Sequence, residues 1–133
     1  MSDSENATPR GELAIRTVAM PADANASGDI FGGWLLAQMD LAGGASAARR
    51  ARGRVATVAI NGMEFHRPVL VGDVVSAYAE LVRVGRSSMT YRVEAWAERR
   101  AGSGQTKVTE GVFTFVAIDA DRRPRPVPQS ATS

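Results

Sequence analysis

The sequence predicts an α+β domain: five antiparallel strands curled around one long helix. Three observations lead there. Residues 30–48, IFGGWLLAQMDLAGGASAA, form a long apolar stretch rich in Ala and Leu, which are strong helix formers. Four segments with strand chemistry follow it, separated by short turn signals, and a fifth precedes it. With 133 residues there is enough chain for one core. One sheet has a single face on which to bury one apolar helix, and curling the sheet around that helix is the simplest solution.

Residues 1–11 are polar and expected to be flexible, residues 12–120 make the single domain, and residues 121–133, with Pro124, Pro126 and Pro128, make an extended tail. Glu12–Met20 reads as the first strand and Pro21–Gly28 as a loop. The helix should start at Phe31 or Gly32, run to about Arg52 and be ended by Gly53. Its apolarity on every side predicts a buried central helix. Val55–Phe65, Asp73–Val84, Ser87–Arg99 and Lys107–Asp119 are the remaining strands. Pro68 with Gly72-Asp73, Gly85-Arg86 and Ala101–Gly104 mark the turns between them. Short turns predict antiparallel neighbours. In Ser87–Arg99, apolar Met89, Tyr91, Val93, Ala95 and Ala97 alternate with the intervening positions, a half-exposed strand pattern. One helix leaves sheet edges uncovered, which predicts self-association.

Composition narrows the function. Cysteine is absent and histidine occurs once, at His66, which excludes thiolate metal sites and a Cys nucleophile and disfavours multi-His sites and Ser-His triads. No apolar run reaches the roughly 18 residues of a membrane span. The start of the chain has neither a basic nor an apolar signal region, so a cytoplasmic protein is expected. The pI is about 9.7 although the net charge is only +2, because all basic residues but one are arginine. Arg49, Arg50, Arg52 and Arg54 cluster after the helix, and Arg122, Arg123 and Arg125 near the C-terminus. These could meet an anionic ligand, but cations commonly occupy the last helical turn, so a solvated helix end is the simpler reading of the first cluster. Aromatic residues make up 6% and no stacking motif interleaves with the arginines, so nucleic acid is not expected.

Asp40 is the anomaly, a single carboxylate in the apolar helix. Such a group is costly to bury unless it is bonded or used. Gly43 and Gly44 adjoin its face. They weaken a helix by about 1 kcal/mol each relative to Ala, which fits either close helix–sheet packing or close approach of a ligand. Gly32 and Gly33 leave the first free N–H groups of the helix open. That is either a tight turn or a cradle for a developing oxyanion. Eight residues separate Gly32 from Asp40, about 12 Å along the axis. A reacting carbonyl needs its base and its oxyanion donors each within roughly 3 Å, so one chain cannot supply both. Two antiparallel copies can, which predicts a two-fold dimer with shared sites.

Four ordered motifs then carry a resemblance: MPADANASGDIFGGWLLAQMDLAGG, RVATVAINGMEFHRPVLVGD, VGRSSM and VFTFVAID. Together they resemble the hotdog-fold acyl-CoA thioesterases, in particular the bacterial YciA-like type, from about Leu13 to Pro128. The resemblance implies a hotdog fold, a homodimer as the unit and usually a hexamer built as a trimer of dimers. It implies hydrolysis of acyl-CoA to free acid and CoA with no metal and no added cofactor. It maps the catalytic aspartate onto Asp40, an asparagine from the opposite subunit onto Asn25, and the oxyanion amide onto Gly32 with Gly33 beside it. Thr57 is expected to line the site, and Arg86 and Ser87 to meet the CoA phosphates. His66 falls where the family requires no particular residue and is expected at the surface or rim.

On this reading Asp40 either activates water or attacks the thioester carbonyl. A non-catalytic acyl-CoA sensor on the same fold is the alternative, although it needs neither Asp40 nor Asn25. A hydratase needs a catalytic His beside an acid, and His66 lies outside the helix entrance.

Overall fold

The structure, a computed structural model, describes residues 8–99, 102 and 104–129. Residues 1–7 of the expected flexible N-terminus, parts of the expected Ala101–Gly104 loop and residues 130–133 lie outside the described residues. The elements are β1 (Glu12–Val18), α1 (Gly32–Ala51), β2 (Val55–Phe65), β3 (Val74–Val84), β4 (Ser88–Glu98) and β5 (Gln105–Ala117), with one 3₁₀ turn at Pro21–Asp23. Each expected strand and the helix form within two residues of the anticipated bounds. The strands make one five-stranded antiparallel sheet that packs on α1.

The strand order, β1-β3-β4-β5-β2, differs from the expectation that consecutive strands are neighbours. β3, β4 and β5 do follow one another as hairpins. β2 and β3 do not pair: β2 lies at one edge against β5, and β3 lies between β1 and β4. The connector between them therefore crosses the end of the sheet. It is held at both ends, by His66 N–H to Val108 C=O at 2.7 Å and by Ala19 N–H to Asp73 C=O at 2.9 Å. Midway, buried Val69 accepts from Ile30 N–H at 2.9 Å. This crossing fastens the loop that leads into α1.

The core lies between α1 and the concave face of the sheet. Leu35, Met39, Ala42, Gly43, Ala47 and Ala51 make the buried side of the helix. They meet Val93, Phe113 and Phe115, among others. Gly43 is required for this approach: a Cβ there would stand 2.9 Å from Phe115 Cζ and 3.3 Å from Val93 Cγ2. Gly44 is in looser contact, 3.7 Å from the same ring. The two glycines thus divide the two readings between them, one packing against the sheet and one bordering open space.

Two further expectations are corrected. The helix is not buried all round within one chain. Leu41 is 58% exposed and Phe31 50%, and the outward side joins exposed Val58, Ile60 and Phe65 of edge strand β2. Within the single chain this side of the helix has no covering layer, and Leu41 stands out from it. Nor is β4 half-exposed along its length. Val93–Ala97 is buried on both faces, because the backbone before β1 crosses the outer side. There Glu94 Oε1 accepts from Arg10 N–H at 3.2 Å and from Trp96 Nε1–H at 2.9 Å.

The helix end also differs in detail. The left-handed residue is Arg52, with φ 56°, rather than Gly53. Gly53 instead lies under the Arg125 guanidinium: a Cβ there would stand 2.5 Å from Arg125 Nη2 and would displace that group.

Candidate active site

Asp40 sits one side of the buried helix stripe, half-buried in the single chain. Its Oδ1 accepts a hydrogen bond from the Thr57 hydroxyl at 2.7 Å. Thr57 is on the edge strand opposite Phe115, so the sheet sets the position of the donor and the helix that of the carboxylate. One carboxylate oxygen is thereby oriented and the other left available. These groups border a cleft of about 450 Å³ with Gly44, Ala48, Arg54 and Phe115 in its walls.

Asn25 and Gly32 border a different cleft, of about 350 Å³, with Phe65, His66 and Val69. The Asn25 loop is closed on itself. Asn25 Oδ1 accepts from Ser27 N–H at 2.8 Å and Asp29 N–H at 3.2 Å, while Asn25 N–H donates to Asp29 C=O at 2.7 Å. With its oxygen used inside the loop, the carboxamide has its NH₂ left to donate. The helix start beside it is uncapped: Phe31 makes no side-chain cap bond, and the first turn holds no acid. The helical bonding begins with Trp34 N–H and Leu35 N–H to Phe31 C=O. The N–H groups of Gly32 and Gly33 are therefore among the free donors of a helix tip. Gly32 lies under the Phe65 ring, which a Cβ would approach to 3.3 Å, whereas Gly33 faces open space.

The thioesterase superfamily model matches residues 27–102, which hold the end of the Asn25 loop, α1, β2, β3 and β4. The chain belongs to the thioesterase superfamily. It is 53% identical over 124 residues to the acyl-CoA thioester hydrolase YciA of Salmonella typhimurium, covering 91% of this chain and 93% of that protein. Among solved structures it is similar to the hexameric thioesterase y2039 from Yersinia pestis, at TM-score 0.89 and 50% identity, covering 92% of this chain and all of that one. It is likewise similar to HI0827, a hexameric broad-specificity acyl-coenzyme A thioesterase, at TM-score 0.89 and 45% identity, covering 98% and 90%. The five-stranded sheet and single long helix are the hotdog architecture of these thioesterases.

Within this thioesterase chain the expected site residues fall into three places. Asp40 and Thr57 are in contact. Asn25, Gly32 and Gly33 meet at the helix entrance. Arg86 and Ser87 are in the β3–β4 turn, where Ala117 N–H donates to Ser87 C=O at 2.9 Å and Ile118 N–H to Arg54 C=O at 3.0 Å. That turn, the start of β2 and the end of α1 share one end of the sheet. Arginines 50, 52, 54, 86 and 125 all come from these segments and the adjoining tail. Among the described residues no hydrogen bond or ion pair joins the three places within one chain, and the first two line separate clefts.

His66 is exposed at the rim of the Asn25 cleft, but it has a partner that sequence reading missed. Its Nε2 is 2.7 Å from Glu110 Oε2, and Lys107 Nζ donates to Glu110 Oε1 at 3.4 Å. Burial pushes the Glu110 carboxyl up, but the His66 hydrogen bond and the Lys107 charge together hold it below the usual value. Glu64, His66 and Glu110 also bring three ligand-type atoms within 4.8 Å of one another; the Lys107 ammonium on the same carboxylate makes this an ion-pair cluster. The alternation of Glu64 and His66 on β2 was the only local signal for it.

Proposed function

We propose that the protein hydrolyses acyl-CoA thioesters in the cytoplasm, working as a homodimer within a trimer of dimers. The observation that carries this reading is the division of the site parts. A held carboxylate and an uncapped helix tip stand on one helix about 12 Å apart by its rise, in separate clefts. An apolar, half-exposed helix face runs between them. A second, antiparallel copy laid on that face brings the tip of one helix beside the Asp40 of the other. The hexameric relatives named above support the same assembly.

In such a shared site the thioester oxygen accepts from Gly32 N–H, with Gly33 beside it and the Asn25 NH₂ of the same chain orienting the carbonyl. Asp40 of the other chain, held by Thr57, takes a proton from water as the water oxygen attacks the carbonyl carbon. The oxyanion collapses, the C–S bond breaks, and the CoA thiolate leaves and takes up the proton. Direct attack by Asp40, giving a mixed anhydride that water then opens, uses the same geometry. A thioester is reactive enough that neither a metal nor a cofactor is needed. Arg86 and Ser87 hold CoA phosphates, for which the forked guanidinium is well suited.

The test is release of free thiol from a panel of short- to long-chain acyl-CoAs by wild type and Asp40→Asn, with and without EDTA. Wild type should turn over, unaffected by EDTA. Asp40→Asn should lose most turnover yet still bind CoA. Tight binding with no turnover by wild type would identify a sensor, and near-wild-type rates for Asp40→Asn would remove Asp40 from the mechanism.

A further inference from the structure

The segment after β5 is fastened at nearly every residue. Asp119 Oδ1 turns the chain back by accepting from Asp121 N–H and Arg123 N–H, both at 2.9 Å. Pro124 then bridges to Ile118, Arg125 N–H donates to Ala117 C=O at 2.9 Å, and Val127 N–H to Arg86 C=O at 2.8 Å. The Val127 side chain is buried in the core, 2% exposed.

Two guanidinium groups, one on the strap and one on the helix, tie this strap to the end of α1. Arg125, on the strap, donates from Nη2 to Ala51 C=O at the end of α1 (3.0 Å) and from Nε to Ile118 C=O (3.1 Å). Arg50, on α1, donates from Nη1 to Pro128 C=O and from Nη2 to Gln129 C=O, the latter at 3.3 Å. Gln129 Nε2 in turn donates to Gly85 C=O at 3.3 Å. The carbonyls of Gly85 and Arg86 are thus both engaged by a strap whose far side is bolted to the helix. The missing Cβ at Gly53 makes room for the Arg125 clamp.

We infer that Arg50 and Arg125 are positioning residues for the nucleotide end of the substrate. By holding residues 125–129 they set the backbone of the β3–β4 turn, and so the aim of Arg86 and Ser87. This rests on the reading of that turn as the phosphate-binding element. In any preorganised site two adjacent side chains contact phosphate only as well as the turn beneath them is held. A hairpin tip has few contacts of its own, and here the strap supplies them. The clamps touch no reacting group, so they act on binding of the nucleotide and not on the thioester step.

The test compares acyl-CoA with the matching S-acyl-pantetheine, which carries the same thioester without nucleotide or phosphates. Arg50→Ala is expected to raise KM for acyl-CoA by about tenfold, the scale of one lost charge-assisted hydrogen bond, with kcat and both constants for acyl-pantetheine unchanged. Arg125→Ala should act in the same direction, and Arg50→Lys, which keeps the charge and its donors but not the fork that spans both carbonyls, should recover part of the loss. If Arg50→Ala does not fold, Arg50→Lys and Arg125→Lys give the same comparison. Equal effects on both substrates, or none on either, would overturn the inference and leave a strap that only stabilises the fold. Arg86→Ala separates the two readings. If it leaves KM for acyl-CoA unchanged, the phosphate assignment has failed. If it raises KM while Arg50→Ala does not, only the positioning role has failed.

Discussion

Removing the hydroxyl that holds Asp40 isolates the value of an oriented carboxylate. Thr57→Val keeps the size and the strand preference of the residue and deletes one bond, Thr57 Oγ1–H to Asp40 Oδ1 at 2.7 Å. A hydrogen bond to a charged group contributes about 1.5–3 kcal/mol. Thr57 is exposed in the single chain, so the lower end applies, about 1.5 kcal/mol, which is roughly tenfold in rate. The expected result is a kcat for acyl-CoA reduced about tenfold with KM little changed, because the bond orients the reacting group and does not hold substrate. Thiol release under saturating acyl-CoA measures it. Thr57→Val in an Asp40→Asn background should then cost almost nothing more, since the carboxylate it orients is already gone. A kcat within twofold of wild type for Thr57→Val, or an undiminished effect in the double variant, would refute the reasoning.

Two further outcomes concern the fold. Gly43→Ala places a methyl 2.9 Å from Phe115 Cζ; overpacking of about 1–3 kcal/mol set against a helix-propensity gain of about 1 kcal/mol leaves a net destabilisation of up to about 2 kcal/mol, measurable by urea unfolding. Glu110 has its carboxyl held below its ordinary value of 4.5 in the folded chain, so its contribution to stability is present above that pH and lost as pH falls through the lowered value. Glu110→Gln should therefore lower Tm at neutral pH and converge with wild type in acid; a gap that stays constant with pH would contradict the pairing with His66 and Lys107.

What was legible in the sequence was local. Segment composition, turn residues and alternation placed the helix and all five strands, because Ala- and Leu-rich stretches, β-branched runs and Gly/Pro turns report on nearby backbone preference. The separation of β2 from β3 was not legible. It depends on pairings such as Thr57 with Phe115, which leave no mark on either segment by itself. The same holds for His66 and Glu110, 44 residues apart, and for Arg50 reaching the strap. For the site, eight residues of helix between Gly32 and Asp40 already implied a shared arrangement. The roles of Asn25, Thr57, Arg86 and Ser87 came from resemblance, since a loop asparagine or a turn arginine has many ordinary uses. The exposed side of α1 was read as buried because apolarity does not reveal whether a sheet or another chain covers it.

The central claim is that each site draws Asp40 from one chain and Asn25 with the Gly32 tip from another. Co-expressing Asp40→Asn and Asn25→Ala chains under two affinity tags tests it most directly. Each variant alone should be nearly inactive. In a statistical mixture half the dimers are mixed, and each mixed dimer has one site with both residues intact, so activity should return to about a quarter of wild type. A mixture no more active than the separate variants, with mixed dimers recovered through both tags, would contradict a site shared between chains.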